Sequence, residues 1–180
     1  MNFKQVIENK IQSPEFMTNI IGEMPLIIKP LDGGHSSIVY GVKLHNGSSF
    51  VLKFSENTTE LYNEQLFLKT WSQKGIRTPE IIELTQLPEG LGGSVLQMEF
   101  VSGQNLFPLM EKGAVDSPKI LHDLGVILAT MHTVTVTGYG TVNVDSNGSI
   151  QGEDKSFSET LYSLEWQETC LLYTSPSPRD

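Results

Sequence analysis

The chain has 180 residues, 38% hydrophobic and 18% charged. That is enough apolar material for a packed core, and it leaves room for one domain or one domain and part of another. With 12 basic and 21 acidic residues, the net charge of −9 argues against general nucleic-acid binding, which needs clustered Lys and Arg on phosphates. One cysteine, Cys170, excludes an internal disulfide framework and a Cys-based zinc site, and His35, His45, His122 and His132 show no metal-ligand spacing.

The start, MNFKQVIENK, lacks the apolar core of a signal peptide, and no apolar run approaches bilayer length, so a cytoplasmic protein without membrane contact is expected. Residues 1–24 read as a helical segment. Val6, Ile7 and Ile11 repeat at helical spacing, and Ser13-Pro14 supplies a cap and start for a second piece. From Pro25 the period changes. Pro25 to Leu31, Ile38 to Leu44 and Ser49 to Phe54 read as antiparallel strands. Asn46-Gly47 between the last two predicts a hairpin with a type I′ turn, positive φ at both central residues.

A helix of about four turns is expected next, capped by Asn57 or Thr58 and closed by Gly75, with Leu61, Phe67, Leu68 and Trp71 mainly on one side. Glu80 to Leu84 and Ser94 to Val101 read as two further strands around a Gly-rich turn. Asn105 to Lys112 predicts a short helix interrupted at Pro108. A longer helix starts from Ser117 as N-cap with Pro118 in its first turn, and carries Leu121, Leu124, Ile127 and Leu128 on its apolar face. The segment GYGTVNVDSNGSIQGED reads as a loop, and Ser156 to Gln167 as one more helix. The end, CLLYTSPSPRD, is unlike what precedes it. It resembles a translated sequencing-library adapter, so residues 170–180 are expected to be non-native; the other reading is a genuine Ser/Pro-rich tail.

Four places carry candidate chemistry. Gly33, Gly34, His35, Ser36 and Ser37 lie at a strand–strand turn, where a glycine pair admits close backbone approach and N–H and hydroxyl groups can face phosphate oxygens. The same segment is unlike fingerprints that open a helix, and on its own it is equally a simple turn. Lys53 sits in an alternating apolar strand, with Val51 on its face and Leu52 and Phe54 on the other. Such a lysine either faces solvent or is buried with a partner. Glu64, eleven residues later in the helix, can lie beside the buried side and pair with Lys53, or be an ordinary exposed glutamate. Gln97 to Gly103 ends a strand and exposes main-chain groups that a flat purine can use.

GGHSSIVYGV, VLKF, the NEQLFLKTW helix, GIRTPEII and QMEFVSG, in this order, resemble the aminoglycoside phosphotransferase family, which shares the protein-kinase fold. The helix LHDLGVILATMH followed by TVTGYGTVN continues the likeness, which runs from about Leu26 to Gly140. The resemblance implies an α+β chain: a kinase-like N-lobe with a five-stranded antiparallel sheet and one αC-type helix, then the first helices of a helical C-lobe. It divides the chain into residues 1–24, 25–103 (lobe and hinge), 104–169 (start of the C-lobe) and the tail at 170–180. It makes Gly33 to Ser37 the loop over the triphosphate, Lys53 the phosphate lysine and Glu64 its partner. Val39 and Val51 pack on the base, Met98 lies at the back of its pocket, and the Glu99 carbonyl and Val101 amide contact adenine through main-chain atoms, with little role for their side chains.

The sequence also departs from the pattern. Asp32 and Ser37 replace the first and third glycines of the protein-kinase loop, which favours the antibiotic-kinase branch. No His-Gly-Asp loop with its downstream Asn and Asp is present, and His122-Asp123 lies mid-helix. Those pieces, and the metal ligands for Mg²⁺, are expected beyond residue 169 of a longer parent, so that this chain alone is inactive, exposes an apolar helix face and self-associates. The implied activity is transfer of the γ-phosphoryl of ATP, or GTP, to a hydroxyl of an aminoglycoside-like or other small acceptor; the alternative is a nucleotide-binding pseudokinase module that transfers nothing.

Overall fold

The structure, a computed structural model, describes residues 2–31, 38–144 and 150–161. They fall into two compact units divided between Thr133 and Val134.

In the first unit, the alternating segments form one antiparallel sheet of β1 (Ile27–Pro30), β2 (Ile38–Lys43), β3 (Ser49–Ser55), β4 (Ile81–Gln86) and β5 (Ser94–Glu99), in the order β1-β2-β3-β5-β4. The β2–β3 hairpin is present, but its turn differs from the expected type I′. Gly47 alone is left-handed, at φ 91°, and among the described residues no non-glycine has positive φ. The Gly47 N–H donates to the Leu44 carbonyl and the Leu44 N–H to the Ser48 carbonyl. This is a three-residue loop, a type I turn closed by a left-handed glycine. The Asn46 side chain holds it by accepting from the Ser48 N–H at 2.9 Å.

The strand period of two puts different side chains on the two faces. Tyr40, Val42, Phe50, Leu52, Phe54 and Val95 share one face. Across it lie Ile7 of α1 (Phe3–Lys10), Ile11, and Phe16, Met17 and Ile20 of α2 (Pro14–Ile21), all buried. Phe54 is the centre of this layer: its ring is 6.4 Å from Phe16 and 6.3 Å from Tyr40. Ser13 caps α2 with Pro14 behind it, and Gly22 ends it at φ 81°. The other face carries Val51, Leu96 and Met98 and packs on Leu61 of α3 (Thr58–Gln73).

Helix α3 is defined by its ends. Asn57 accepts from the Thr59 and Glu60 N–H groups. At the other end, Ile76 and Gly75 donate to the Trp71 and Ser72 carbonyls, with Gly75 at φ 83°, the Schellman arrangement. Two expectations further on need correction. Pro108 does not interrupt α4 (Leu106–Glu111); it is the third helical residue, where the backbone N–H has no intrahelical partner to lose. The cap of α5 (Ser117–Met131) is Asp116, which accepts from the Lys119 N–H, rather than Ser117.

The second unit corrects a larger expectation. The segment after α5 is not a loop. It pairs β6 (Tyr139–Val144) with β7 (Ile150–Asp154) and continues into α6 (Phe157–Leu161). Gly138 is at φ 92°, and a Cβ on Gly152 would stand 2.3 Å from the Tyr139 backbone, so glycine is required for this pairing. Tyr139 and Phe157 bring their rings to 6.0 Å. The rest of the expected last helix and the 170–180 tail lie outside the described residues.

Candidate functional site

The site is built on the α3 face of the sheet. Register sets Val39 opposite Lys53, Gly41 opposite Val51, Val51 opposite Met98 and Lys53 opposite Leu96. Val39, Val51, Lys53, Leu96 and Met98 therefore share one surface. Leu61 is fully buried against it and fixes the rotation of α3. Glu64, one turn further on, is then carried over Lys53. Lys53 Nζ donates to Glu64 Oε2 at 2.6 Å, with the two side chains 21% and 28% exposed. A pair so nearly covered is a charge-assisted hydrogen bond shielded from solvent screening. The ammonium has three N–H donors, and one binds Glu64. The others can face an anion on the same surface.

The site ends at the last residues of β5 and the segment beyond. Met98 is buried among Leu61 and Leu96. Glu99 donates its N–H to the Glu80 carbonyl at 2.8 Å. Val101 is 49% exposed, and among the described residues its N–H has no partner. The arrangement thus has an apolar floor of Val39, Val51 and Met98, a cation at one end and main-chain polar groups at the other. That donor set fits a flat heterocycle carrying a phosphate chain.

Three participants escaped the sequence reading. Leu31, Gly41 and Phe100 line a cavity of about 190 Å³ beside this floor, with Ile27, Lys29 and Lys43 around it. A Cβ on Gly41 would stand 3.4 Å from both the Leu31 and Phe100 side chains. Glycine here lets the two close over the strand. The signal was available, since an isolated glycine in an alternating strand marks a close approach. A larger cavity, about 500 Å³ and lined by Leu68, Thr78, Pro79 and Ile81, contains neither Lys53 nor Glu64.

The candidate loop Gly33, Gly34, His35, Ser36 and Ser37 lies outside the described residues. Among the described residues, no group of three or more His, Cys, Asp or Glu side chains is placed to hold a metal ion, and no helix is long and apolar enough to cross a membrane.

A family model described as "Phosphotransferase enzyme family" matches residues 27–158. No curated protein matches the chain. Among solved structures, the chain is similar to a thermostable mutant of aminoglycoside phosphotransferase APH(4)-Ia in ternary complex with AMP-PNP and hygromycin B. The identity is 13% and the TM-score 0.62, over 87% of this chain and 52% of that one. A thermostable mutant of the same protein in apo form matches at 14% identity and a TM-score of 0.62, over 86% of this chain and 52% of that one. At such identity the likeness shows the fold, an α+β kinase-like sheet with its helices. The chain spans about half the length of these structures.

Proposed function

Since the chain belongs to the phosphotransferase enzyme family, we propose that it is the nucleotide-holding part of a small-molecule kinase. In this reading, the γ-phosphoryl of ATP, with GTP as the other donor considered, passes to a hydroxyl of an aminoglycoside-like or other small acceptor. Residues 25–103 form the nucleotide lobe and hinge, and residues 104–169 begin the acceptor lobe. The protein acts in the cytoplasm, where ATP is abundant, without nucleic acid or membrane as partner.

The observation that carries the reading is the Lys53–Glu64 pair at 2.6 Å on the surface that also holds Val39, Val51 and Met98. Glu64 holds the Lys53 ammonium in place, and Lys53 neutralises phosphate charge next to the triphosphate. Val39 and Val51 cover the base from the sheet, Met98 closes the back, and main-chain groups of Glu99 and Val101 meet its edge. Gly33 to Ser37 supply N–H and hydroxyl donors over the phosphates. Such positioning and charge stabilisation make up most of catalysis in phosphoryl transfer. The described residues offer no fitting ligand set for Mg²⁺, so no metal step is drawn from them. The net charge of −9 suits a polycationic acceptor.

The alternative reading is a nucleotide-binding module that transfers nothing. Two measurements separate them. AMP-PNP binding by calorimetry is expected for the chain and is expected to fall at least about tenfold in Lys53→Met, a loss of one charged contact. Transfer of labelled γ-phosphate to a panel of hydroxyl acceptors supports the kinase. Absence of AMP-PNP binding refutes both.

A further inference from the structure

We propose that the Glu99 side chain is a positioning group for the nucleotide base: its carboxylate takes the place of its own main-chain carbonyl in the sheet and leaves that carbonyl open to the ligand. The inference rests on the nucleotide-binding reading above, and it assigns the side chain a role that the sequence alone denied it.

In an antiparallel ladder, the N–H and C=O of one residue point to the same neighbouring strand, and a hydrogen-bonded pair exchanges both bonds. Glu99 and Glu80 make one of the two. The Glu99 N–H donates to the Glu80 carbonyl at 2.8 Å. The return bond goes elsewhere: the Glu80 N–H donates to Glu99 Oε2 at 3.2 Å. The β4–β5 pairing begins one residue further in, with Ile81 opposite Met98, and its register shifts between Ile81 and Glu83. The Glu80 donor is therefore satisfied by a carboxylate, a stronger acceptor than an amide oxygen, and the Glu99 carbonyl keeps its place at the strand end without the partner a regular pair would give it.

A main-chain acceptor left unpaired calls for a partner. Two residues on, the half-exposed Val101 has an N–H without a partner among the described residues. That is the spacing at which an extended chain turns main-chain groups to one side. Acceptor followed by donor complements a base edge with an exocyclic amine beside a ring nitrogen, as adenine has. Without the Glu99 carboxylate, the Glu80 N–H would return to the carbonyl and the acceptor would be shared.

The test compares ATP with purine riboside triphosphate, which lacks the exocyclic amine, on the 180-residue chain. Calorimetry is run on the unsubstituted chain, Glu99→Ala and Glu99→Gln. The unsubstituted chain is expected to prefer ATP about three- to tenfold, the worth of one hydrogen bond. Glu99→Ala is expected to bring that ratio close to one, while Glu99→Gln, whose amide oxygen still accepts, keeps it. An unchanged ratio in Glu99→Ala, or no preference in the unsubstituted chain, overturns the inference and leaves nucleotide binding intact. Failure of the chain to bind either triphosphate overturns the nucleotide reading and this inference with it.

Discussion

At the scale of single residues, Gly93 and Ser94 sit side by side and make opposite predictions. Gly93 has φ 78°, and an added Cβ would lie 2.3 Å from the Ser55 carbonyl oxygen, a backbone atom that cannot swing away. Gly93→Ala is expected to cost at least about 2 kcal/mol in urea unfolding, from left-handed strain and the clash together. Ser94 is fully buried, and its hydroxyl has no hydrogen-bond partner among the described residues. Ser94→Ala removes that unmet group without leaving a stranded partner, so stability should hold or rise by up to about 1 kcal/mol. Tyr40 adds a pH dependence. Burial, and then the Glu8 charge, raise its phenol above 10.0. The folded state keeps the proton after the unfolded chain has released it. The resulting stabilisation is complete below about pH 10 and is lost as pH rises through the folded value. Unfolding free energy should therefore fall more steeply above about pH 10 in the unsubstituted chain than in Tyr40→Phe. Equal slopes would remove the assignment.

At the scale of elements, α3 shows how a local signal controls a distant contact. Asn57 holds the first turn through two N–H groups, and the phase it sets decides where Glu64 meets Lys53. Asn57→Ala should cost about 1 kcal/mol, the usual worth of a cap, and should weaken nucleotide binding although Asn57 lies outside the site. Unchanged binding would mean that Leu61 alone fixes the helix. The α3 caps were legible in the sequence because Asn and Gly act on the backbone beside them. The middle of the sheet was legible because β2 and β3 bury alternate side chains, which makes their sequence alternation strong. The second hairpin was not. β6 is exposed over its first three residues and only half-buried at Val142 and Val144, so its apolar alternation is too short to stand out, and the glycines that permit its pairing look like loop residues. The turn after β2 was misassigned for a related reason: Asn46-Gly47 specifies a reversal, but whether Asn46 adopts positive φ depends on loop length, which the dipeptide does not state. Of the site, Lys53 and Glu64 could be read from pattern and resemblance. The Glu99–Glu80 bond could not, because it depends on a ladder that ends one residue early.

At the scale of the whole molecule, the two layers of the first unit differ in how they are covered. The face under α1 and α2 holds most of the buried large side chains, whereas the other buries Leu61 of α3 with Leu96 and Met98 of β5. The first layer dominates stability, and the second, with fewer contacts, leaves room for a ligand. Helix α5 is less covered still. Leu121 is 55% exposed, and Leu124, Ile127 and Leu128 are each 43% exposed. These positions recur at helical spacing and form one apolar stripe. Isolated exposed leucines are ordinary, but a continuous stripe is a surface that water leaves readily when a second one is offered. The chain is expected to associate with itself through this stripe as concentration rises, despite the net charge of −9 that opposes it. Sedimentation velocity at increasing concentration should show the weight-average mass climbing, more steeply at high salt where the repulsion is screened. The double variant Leu124→Glu, Leu128→Glu should sediment as a monomer with its sheet intact by circular dichroism. A chain that stays monomeric without the substitutions across that range would show that the stripe, though exposed, is not cohesive enough to drive association.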